Sequence, residues 1–201
     1  IKEKSQAKDF FYNVNKKISE NDPKVQKELE SRLWAVIYLY ERPYEKDTVE
    51  EENWLSLMAE SASRVLNVPE KRIIKKMRKS QKGLSQYEKN VGERDVKGLV
   101  YEQGEIFLVD LSSYIDTGLF LDHRPTRLLV KEEASQKRVL NLFCYTGSFS
   151  VYAAEGGASY VESVDLSNTY LSWAKENMTL NGFSDEKKYI FTKSDAVTWL
   201  S

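Results

Sequence analysis

Three places in the second half of the sequence carry groups suited to holding a polar ligand: Tyr145-Thr146-Gly147, Asp165 and Asp195. A glycine beside hydroxyl side chains lets the backbone approach a ligand closely while those side chains bind its polar end. A carboxylate can accept two ribose hydroxyls together, and a second carboxylate can accept from an amino group. This is the chemistry of binding and orienting a nucleoside. It needs neither metal nor nucleophile, and the composition offers little of either. The chain has one Cys and one His, which excludes an intrachain disulfide, a cysteine-based metal cluster and a histidine-ligated metal centre.

These groups need a scaffold, and the stretch from Arg138 to Asp165 supplies one. Val139 to Phe143 is an apolar, β-rich run suited to a strand buried on both faces. Ser148 to Glu155 places Phe149, Tyr152 and Ala153 at helical spacing, and Gly156-Gly157 ends that helix. Tyr160 to Val164 forms a second strand with Asp165 at its carboxyl end, where open α/β sheets place ligand contacts. Ser167 then caps a helix through Leu171, Ala174 and Met178, with Gly182 as its stop. Tyr189 to Thr192 is a third strand, and Asp195 follows it.

A βαβ unit with an acid after its second strand admits two cofactor classes, and the turn separates them. A dinucleotide site uses G-x-G-x-x-G, so that backbone can close on a pyrophosphate. The turn here, Phe143 to Phe149, has a single glycine. S-adenosylmethionine has no phosphate and needs one close backbone approach with polar side chains at its amino-acid end. Tyr145, Thr146 and Gly147 meet that need, Asp165 would accept the ribose hydroxyls, and Asp195 would accept from the adenine amino group. The bland alternative is that Asp165 only caps the following helix and Gly147 only turns the chain.

The first half reads as a different module. Residues 1–32 resemble a linker or an added helix. Leu33 to Tyr40 suits a strand, and Trp54, Leu55, Met58, Ala59, Ala62 and Val65 recur at three and four, as on one packed helix face. Ile73-Ile74 starts a short strand inside a basic run with Lys71, Arg72, Lys75, Lys76, Arg78, Lys79 and Lys82. Total charge is balanced at −1, so attraction to nucleic acid has to come from such a patch. Two readings stand: a charged edge that protects a strand, or phosphate contact aided by Gln81, Ser85, Gln86 and Tyr87. Gly98 to Val109 alternates as a hairpin around Gln103-Gly104. No apolar run approaches the length of a membrane span, and the first residues lack the order of a signal peptide, so a cytoplasmic location is expected.

Four segments carry a family resemblance: QKGLSQYEK (Gln81 to Lys89), DTGLFLDHR (Asp116 to Arg124), LNLFCYTGS (Leu140 to Ser148) and VDLSNTYLSWAKENMTLNG (Val164 to Gly182). Together they closely resemble the C-terminal methyltransferase half of the bacterial ribosomal RNA large-subunit methyltransferases K/L, which makes N7-methylguanosine in 23S rRNA. The likeness runs from about Leu33 to Ser201. His123 and the Gln81 to Lys89 element favour this group over its sister, the large-subunit cytosine-5 methyltransferases.

The resemblance implies a class I Rossmann-like S-adenosylmethionine methyltransferase fold over residues 112–201, preceded by a small α+β, RNA-facing domain over 33–111. It implies a cofactor set of Thr117, Phe120, Asp122, His123, Arg124, Phe143, Tyr145, Thr146, Gly147, Asp165, Leu166, Asp195 and Ala196, with Asp122, His123 and Arg124 near the methionine end. It implies 23S rRNA as partner, bound by Lys75, Lys76, Arg78, Lys79, Gln81, Lys82, Gln86 and Tyr87, with no metal and no membrane. Cys144 lies in the cofactor turn, unlike the nucleophile of the sister enzymes, and is expected to be a buried packing residue. The family's Asp-Pro-Pro motif, which holds the target base after a fourth strand, is absent from these 201 residues. The sequence therefore reads as a fragment cut at both ends, retaining cofactor contacts, inactive by itself, and with an unpaired strand edge. The remaining alternatives are cytosine-5 methylation and an RNA-binding module with a vestigial cofactor fold.

Overall fold

The computed structural model describes residues 33–40, 47–78 and 96–201. The expected linker over 1–32 lies outside them, as do Lys79, Gln81, Lys82, Gln86 and Tyr87. The chain divides into two compact units, and each is described by itself.

The smaller unit contains β1 (Ala35–Tyr40), α1 (Thr48–Leu66), a 3-10 turn (Glu70–Arg72) and β2 (Ile73–Arg78), together with Leu111–Ile115. Strands β1 and β2 are parallel, with Ala35 opposite Ile73 and Tyr40 opposite Arg78. Parallel neighbours need a crossover, which α1 provides. Asp47 caps α1 by accepting from the Val49 N–H, and Asn67 ends it in the left-handed region at φ 52°. The predicted packing face of α1 is narrower than its sequence pattern. Leu55 and Ala59 are buried and Ala62 packs beside them, whereas Trp54, Met58 and Val65 are exposed. Positions 55, 59 and 62 form one stripe along the helix.

The larger unit comprises Val96–Asp110 and Asp116–Ser201. Its elements are β3 (Lys97–Glu102), β4 (Glu105–Asp110), a 3-10 turn (Leu121–His123), α2 (Arg124–Glu133), β5 (Arg138–Leu142), α3 (Ser148–Glu155), β6 (Tyr160–Asp165), α4 (Asn168–Leu180), β7 (Tyr189–Lys193) and α5 (Ala196–Leu200). Strands β5, β6 and β7 form a parallel sheet in that order, and β3–β4 is the antiparallel hairpin that the Gln103-Gly104 signal predicts. Both turn residues have positive φ, at 55° and 92°.

The hairpin, placed before residue 112 in the expected smaller domain, clusters with the larger unit. Helix α4 satisfies its outer edge. Asn181 accepts from the Ile106 N–H at 2.9 Å and donates to the Ile106 carbonyl at 2.7 Å. Asn177 accepts from the Leu108 N–H at 2.9 Å, and the Trp173 indole donates to the Leu108 carbonyl at 3.0 Å. Phe107 and Tyr152 stack with centroids 6.1 Å apart, inside a core completed by Val151, Ala153, Val161 and Met178.

Strand β5 differs from its expected burial on both faces, since Leu140 is 40% exposed. Helix α2 begins at Arg124, with Pro125 in its first turn, where a missing N–H costs nothing. At the end of α3, a Cβ on Gly156 would lie 2.0 Å from the Lys131 carbonyl, so α2 and α3 meet backbone to backbone there.

Candidate functional site

The turn after β5 is backbone held under strain. Phe143, Tyr145 and Gly147 have φ of 54°, 50° and 71°, and two of the three are not glycine. Such conformations cost about 1–2 kcal/mol each for residues with a Cβ and persist where the surroundings impose them. The surroundings here are specific. The Asp165 carboxylate accepts from the Tyr145 N–H at 2.9 Å, Asn177 donates to the Thr146 carbonyl at 2.9 Å, and the Thr146 hydroxyl donates to the Gly118 carbonyl at 2.6 Å. Asn177 thus grips both β4 and the turn, a link that no spacing rule in the sequence announces.

Gly147 does more for packing than its sequence reading assigns. A Cβ there would sit 2.7 Å from the Ala174 Cβ, so the close approach it permits is to α4. Gly118 is similar, since a Cβ would fall 2.4 Å from the Trp173 ring. The two glycines seat α4 against the turn and against the stretch leading to α2.

Asp165 is 8% exposed at the end of β6. Its Oδ2 accepts from Tyr145 and its Oδ1 from the Ser167 N–H at 2.9 Å. Each oxygen keeps a lone pair for another donor, which suits a vicinal diol. Capping is only part of its work, and the cap of α4 itself is Ser167, which accepts from the Tyr170 N–H at 3.3 Å. Asp195 caps α5 through Oδ1, which accepts from Val197 and Thr198, while none of the described residues donates to Oδ2. Ala196 beside it is buried, and Leu166 and Val197 are exposed apolar groups next to the two acids.

The wall from Thr117 to Arg124 meets the turn through aromatic contacts. Phe120 lies 5.4 Å from the Tyr145 ring, and Tyr145 lies 4.6 Å from Tyr170 and 6.3 Å from Trp173. His123 sits edge-on to Phe149 at 5.8 Å, with its Nε2 3.9 Å from Asp122. The Thr117 carbonyl accepts from the Asp110 N–H at 3.0 Å, which ties the wall to β4. Of the predicted cofactor set, Thr117, Phe120, His123, Phe143, Tyr145, Thr146, Gly147 and Asp165 come together around the turn. Asp122 and Phe143 are strongly exposed, Phe143 at 72%.

Arg127 and Glu102, which the sequence reading did not single out, anchor that wall. Arg127 is 1% exposed and donates to both oxygens of Glu102, at 2.8 and 3.0 Å, and to the Phe120 carbonyl at 2.9 Å. The Tyr152 hydroxyl lies 3.0 Å from Glu102, and burial together with the Glu102 charge pushes its pKa up, which keeps it a donor. An arginine three residues after Arg124 on one helix face was the available signal.

Cys144 is buried, and burial with the nearby Asp165 charge pushes its thiol up to about 12. It is therefore a thiol at neutral pH, without the thiolate that attack on a base requires. Because the folded value is raised, the stabilisation it reflects is complete below the ordinary cysteine range and is lost as pH rises towards about 12. Native protein at pH 8 should react with an aromatic disulfide reagent only as fast as it unfolds. Rapid stoichiometric labelling without denaturant would contradict this assignment.

The N–H groups of Cys144, Tyr145 and Gly147 are committed to Val164, Asp165 and Cys144 oxygens. What remains open is two acids with spare lone pairs, and aromatic edges. These suit a ribose, an adenine and an amino-acid moiety without phosphate.

The profile of a family described as S-adenosylmethionine-dependent methyltransferase matches residues 63–198. The chain belongs to the S-adenosylmethionine-dependent methyltransferase family. Among curated relatives of this methyltransferase, the ribosomal RNA large subunit methyltransferase K/L of Magnetococcus marinus is 46% identical over 168 residues, covering 84% of this chain and 23% of the relative. The ribosomal RNA large subunit methyltransferase K of Neisseria meningitidis serogroup B is 50% identical over 151 residues, covering 75% of this chain and 42% of the relative. The methyltransferase chain thus spans about a quarter to two fifths of the length of these relatives. A structure of a putative methyltransferase complexed with SAH superposes with a TM-score of 0.60 at 24% identity, covering 82% of this chain and 40% of that one. Methanocaldococcus jannaschii Trm5, solved with adenosine, superposes at 0.53 and 19%, covering 81% and 46%. At these identities the superpositions establish the fold, a Rossmann-like α/β arrangement.

The open groove between α2 and β5, about 430 Å³ and lined by Leu129, Val130, Ala134, Val139 and Leu140, contains none of the methyltransferase site residues. Among the described residues no cluster of His, Cys, Asp and Glu could hold a metal ion, and no helix is long and apolar enough to cross a membrane.

Proposed function

We propose that this chain forms the cofactor-binding part of a ribosomal RNA methyltransferase that methylates a guanine N7 in 23S rRNA. The observation that carries the reading is the strained turn from Phe143 to Gly147, held by Asp165, whose two oxygens each keep a lone pair open. The relatives in ribosomal RNA methylation, 46% and 50% identical, support the substrate class.

In this reading S-adenosylmethionine, when bound, supplies a methyl on an already activated sulfonium. The chain's task is alignment and exclusion of water. Asp165 accepts the ribose hydroxyls, Asp195 accepts from the adenine amino group, and Leu166 and Ala196 pack beside the base. Asp122, His123 and Arg124 surround the methionine end, with Tyr145, Thr146 and Gly147 as its floor and Thr117, Phe120 and Phe143 at its margin. Guanine N7 has an available lone pair, so no base has to remove a proton first. That agrees with a thiol at Cys144 that stays protonated.

RNA contact falls to the basic run around β2, in part. Lys75 is exposed and Arg78 is half-buried over the Tyr40 ring, so both present charge for phosphate. Lys76 leaves the expected set for a physical reason. It is 5% exposed, and its ammonium donates to the carbonyls of Tyr114 and Ile115. Those two carbonyls, not phosphate, are what its buried ammonium meets. Replacing Lys75 and Arg78 by Gln should lower the log–log salt slope of RNA binding by about 1.5, since each phosphate contact contributes about 0.7 to 0.9. Lys76→Gln should lower thermal stability and leave that slope alone. Fluorescence anisotropy over a salt series reads both, and an unchanged slope in the double variant would remove β2 from the RNA surface.

The function itself is tested by removing the encoding gene and mapping 23S rRNA nucleosides by mass spectrometry. One N7-methylguanosine should disappear. Loss of a 5-methylcytosine instead, or an unchanged map, refutes the reading.

A further inference from the structure

The Glu102 carboxylate is saturated by an unusual set of donors. Arg127 binds both its oxygens, the Tyr152 hydroxyl lies at 3.0 Å from Oε1, and Arg124 donates its Nε to Oε2 at 2.9 Å. Four donors on two oxygens fill the acceptor capacity of a carboxylate. Two guanidinium groups therefore share one carboxylate, which leaves one positive charge uncompensated within the cluster. That excess resides on Arg124. Arg127 is enclosed, with its third nitrogen donating to the Phe120 carbonyl, while the Arg124 side chain is 49% exposed. With Nε held, the Arg124 terminal amino groups have no partner among the described residues and only a narrow range of directions.

We propose that Glu102 is a positioning residue, which fixes Arg124 through its Nε so that the two terminal amino groups meet the carboxylate at the methionine end of the cofactor. The geometry suits that anion. A guanidinium anchored at Nε keeps its two outer N–H groups parallel, the fork that matches a carboxylate. The uncompensated charge matches one negative charge. The same cluster fixes the Phe120 carbonyl through Arg127, so the wall that carries His123 and Arg124 is held at two points. Lysine in place of Arg124 would keep the charge and lose both the Nε anchor and the fork. The inference rests on the reading that Arg124 lines the methionine end.

The test compares S-adenosylmethionine with its decarboxylated analogue, which lacks only that carboxylate, by calorimetry on the full chain. The ratio of the two affinities is the readout, because a loss of folding or of the ribose contacts lowers both alike. The unaltered protein should prefer S-adenosylmethionine about tenfold or more, the size of one charge-assisted contact. Arg124→Met should bring the ratio close to one. Glu102→Gln and Arg124→Lys should bring it within about threefold of the Arg124→Met value. If Arg124→Met lowers the ratio but Arg124→Lys keeps it, the role of Glu102 is refuted and the carboxylate contact stands. If Arg124→Met keeps the full ratio, or the unaltered protein has none, the reading of Arg124 fails and the inference with it. Arg124 is half exposed, so Arg124→Lys decides the matter even should Glu102→Gln not fold.

Discussion

Asp165→Ala is expected to lower affinity for S-adenosylhomocysteine by about 100-fold while leaving RNA affinity nearly unchanged. Two ribose hydroxyls on one carboxylate are hydrogen bonds to a charged acceptor, each about 1.5–3 kcal/mol, and 1.4 kcal/mol is a factor of ten. The side chain has a second task, since it also holds the Tyr145 N–H at φ 50°. Asp165→Asn separates the two. Its amide oxygen can still accept from one partner, so affinity should fall by about tenfold, between the parent and the alanine variant. Calorimetric titration of the three proteins is the measurement. A loss of less than threefold in Asp165→Ala would take the ribose contact away from this residue.

The second large effect is on folding. Gly147→Ala combines a left-handed φ of 71° with a Cβ placed 2.7 Å from the Ala174 Cβ. The first costs about 1–2 kcal/mol and the second about 1–3 kcal/mol, so a loss near 3 kcal/mol and a fall in Tm of about 6–12 °C are expected. Adding Ala174→Gly restores the space but not the φ, and itself costs about 1 kcal/mol in a helix. The double variant should still be more stable than the two single losses predict by addition, because the pair is in contact. Strict additivity in thermal unfolding would show that the backbone angle alone makes Gly147 necessary.

The elements were legible where periodicity, glycines and caps agreed. Val161 and Val164 on β6, the Ser167 cap and Gly182 after Asn181 located β6 and α4 to within a residue or so. The hairpin was legible at Gln103-Gly104 because a glycine between two alternating runs supplies the positive φ of a tight turn. Its allegiance was not, since that depends on Asn177 and Asn181, and an asparagine on a helix looks the same whether it faces solvent or a strand edge. Lys76 shows the same blindness in reverse: within a run of basic residues nothing local marks the one that is buried against carbonyls almost forty residues on. The site was legible as Asp165, Asp195 and the single-glycine turn, because chain position and chemistry coincide there. Glu102 and Arg127 were not, because their pairing spans 25 residues between a strand and a helix and leaves no local pattern. The strain at Phe143 and Tyr145 was invisible for a related reason. Neither residue type favours the left-handed region, and only the surrounding bonds impose it.

The bonds from α4 to β4 carry a geometric consequence. Trp173, Asn177 and Asn181 are four residues apart, a rise of about 6.0 Å per step along a helix. Alternate residues of a strand repeat at about 6.8 Å. The two periods differ by only about 0.8 Å, so the step from Asn177 on Leu108 to Asn181 on Ile106 lets the helix act as a surrogate strand, with Trp173 on the Leu108 carbonyl. The outer edge of β4 is thereby closed to strand addition by another chain, without any strand being spent on it. A single-residue insertion in α4 between Trp173 and Asn181 would turn the later amide about 100° away from the edge. It would free Ile106 or Leu108 for pairing elsewhere and loosen the Thr146 carbonyl in the same step.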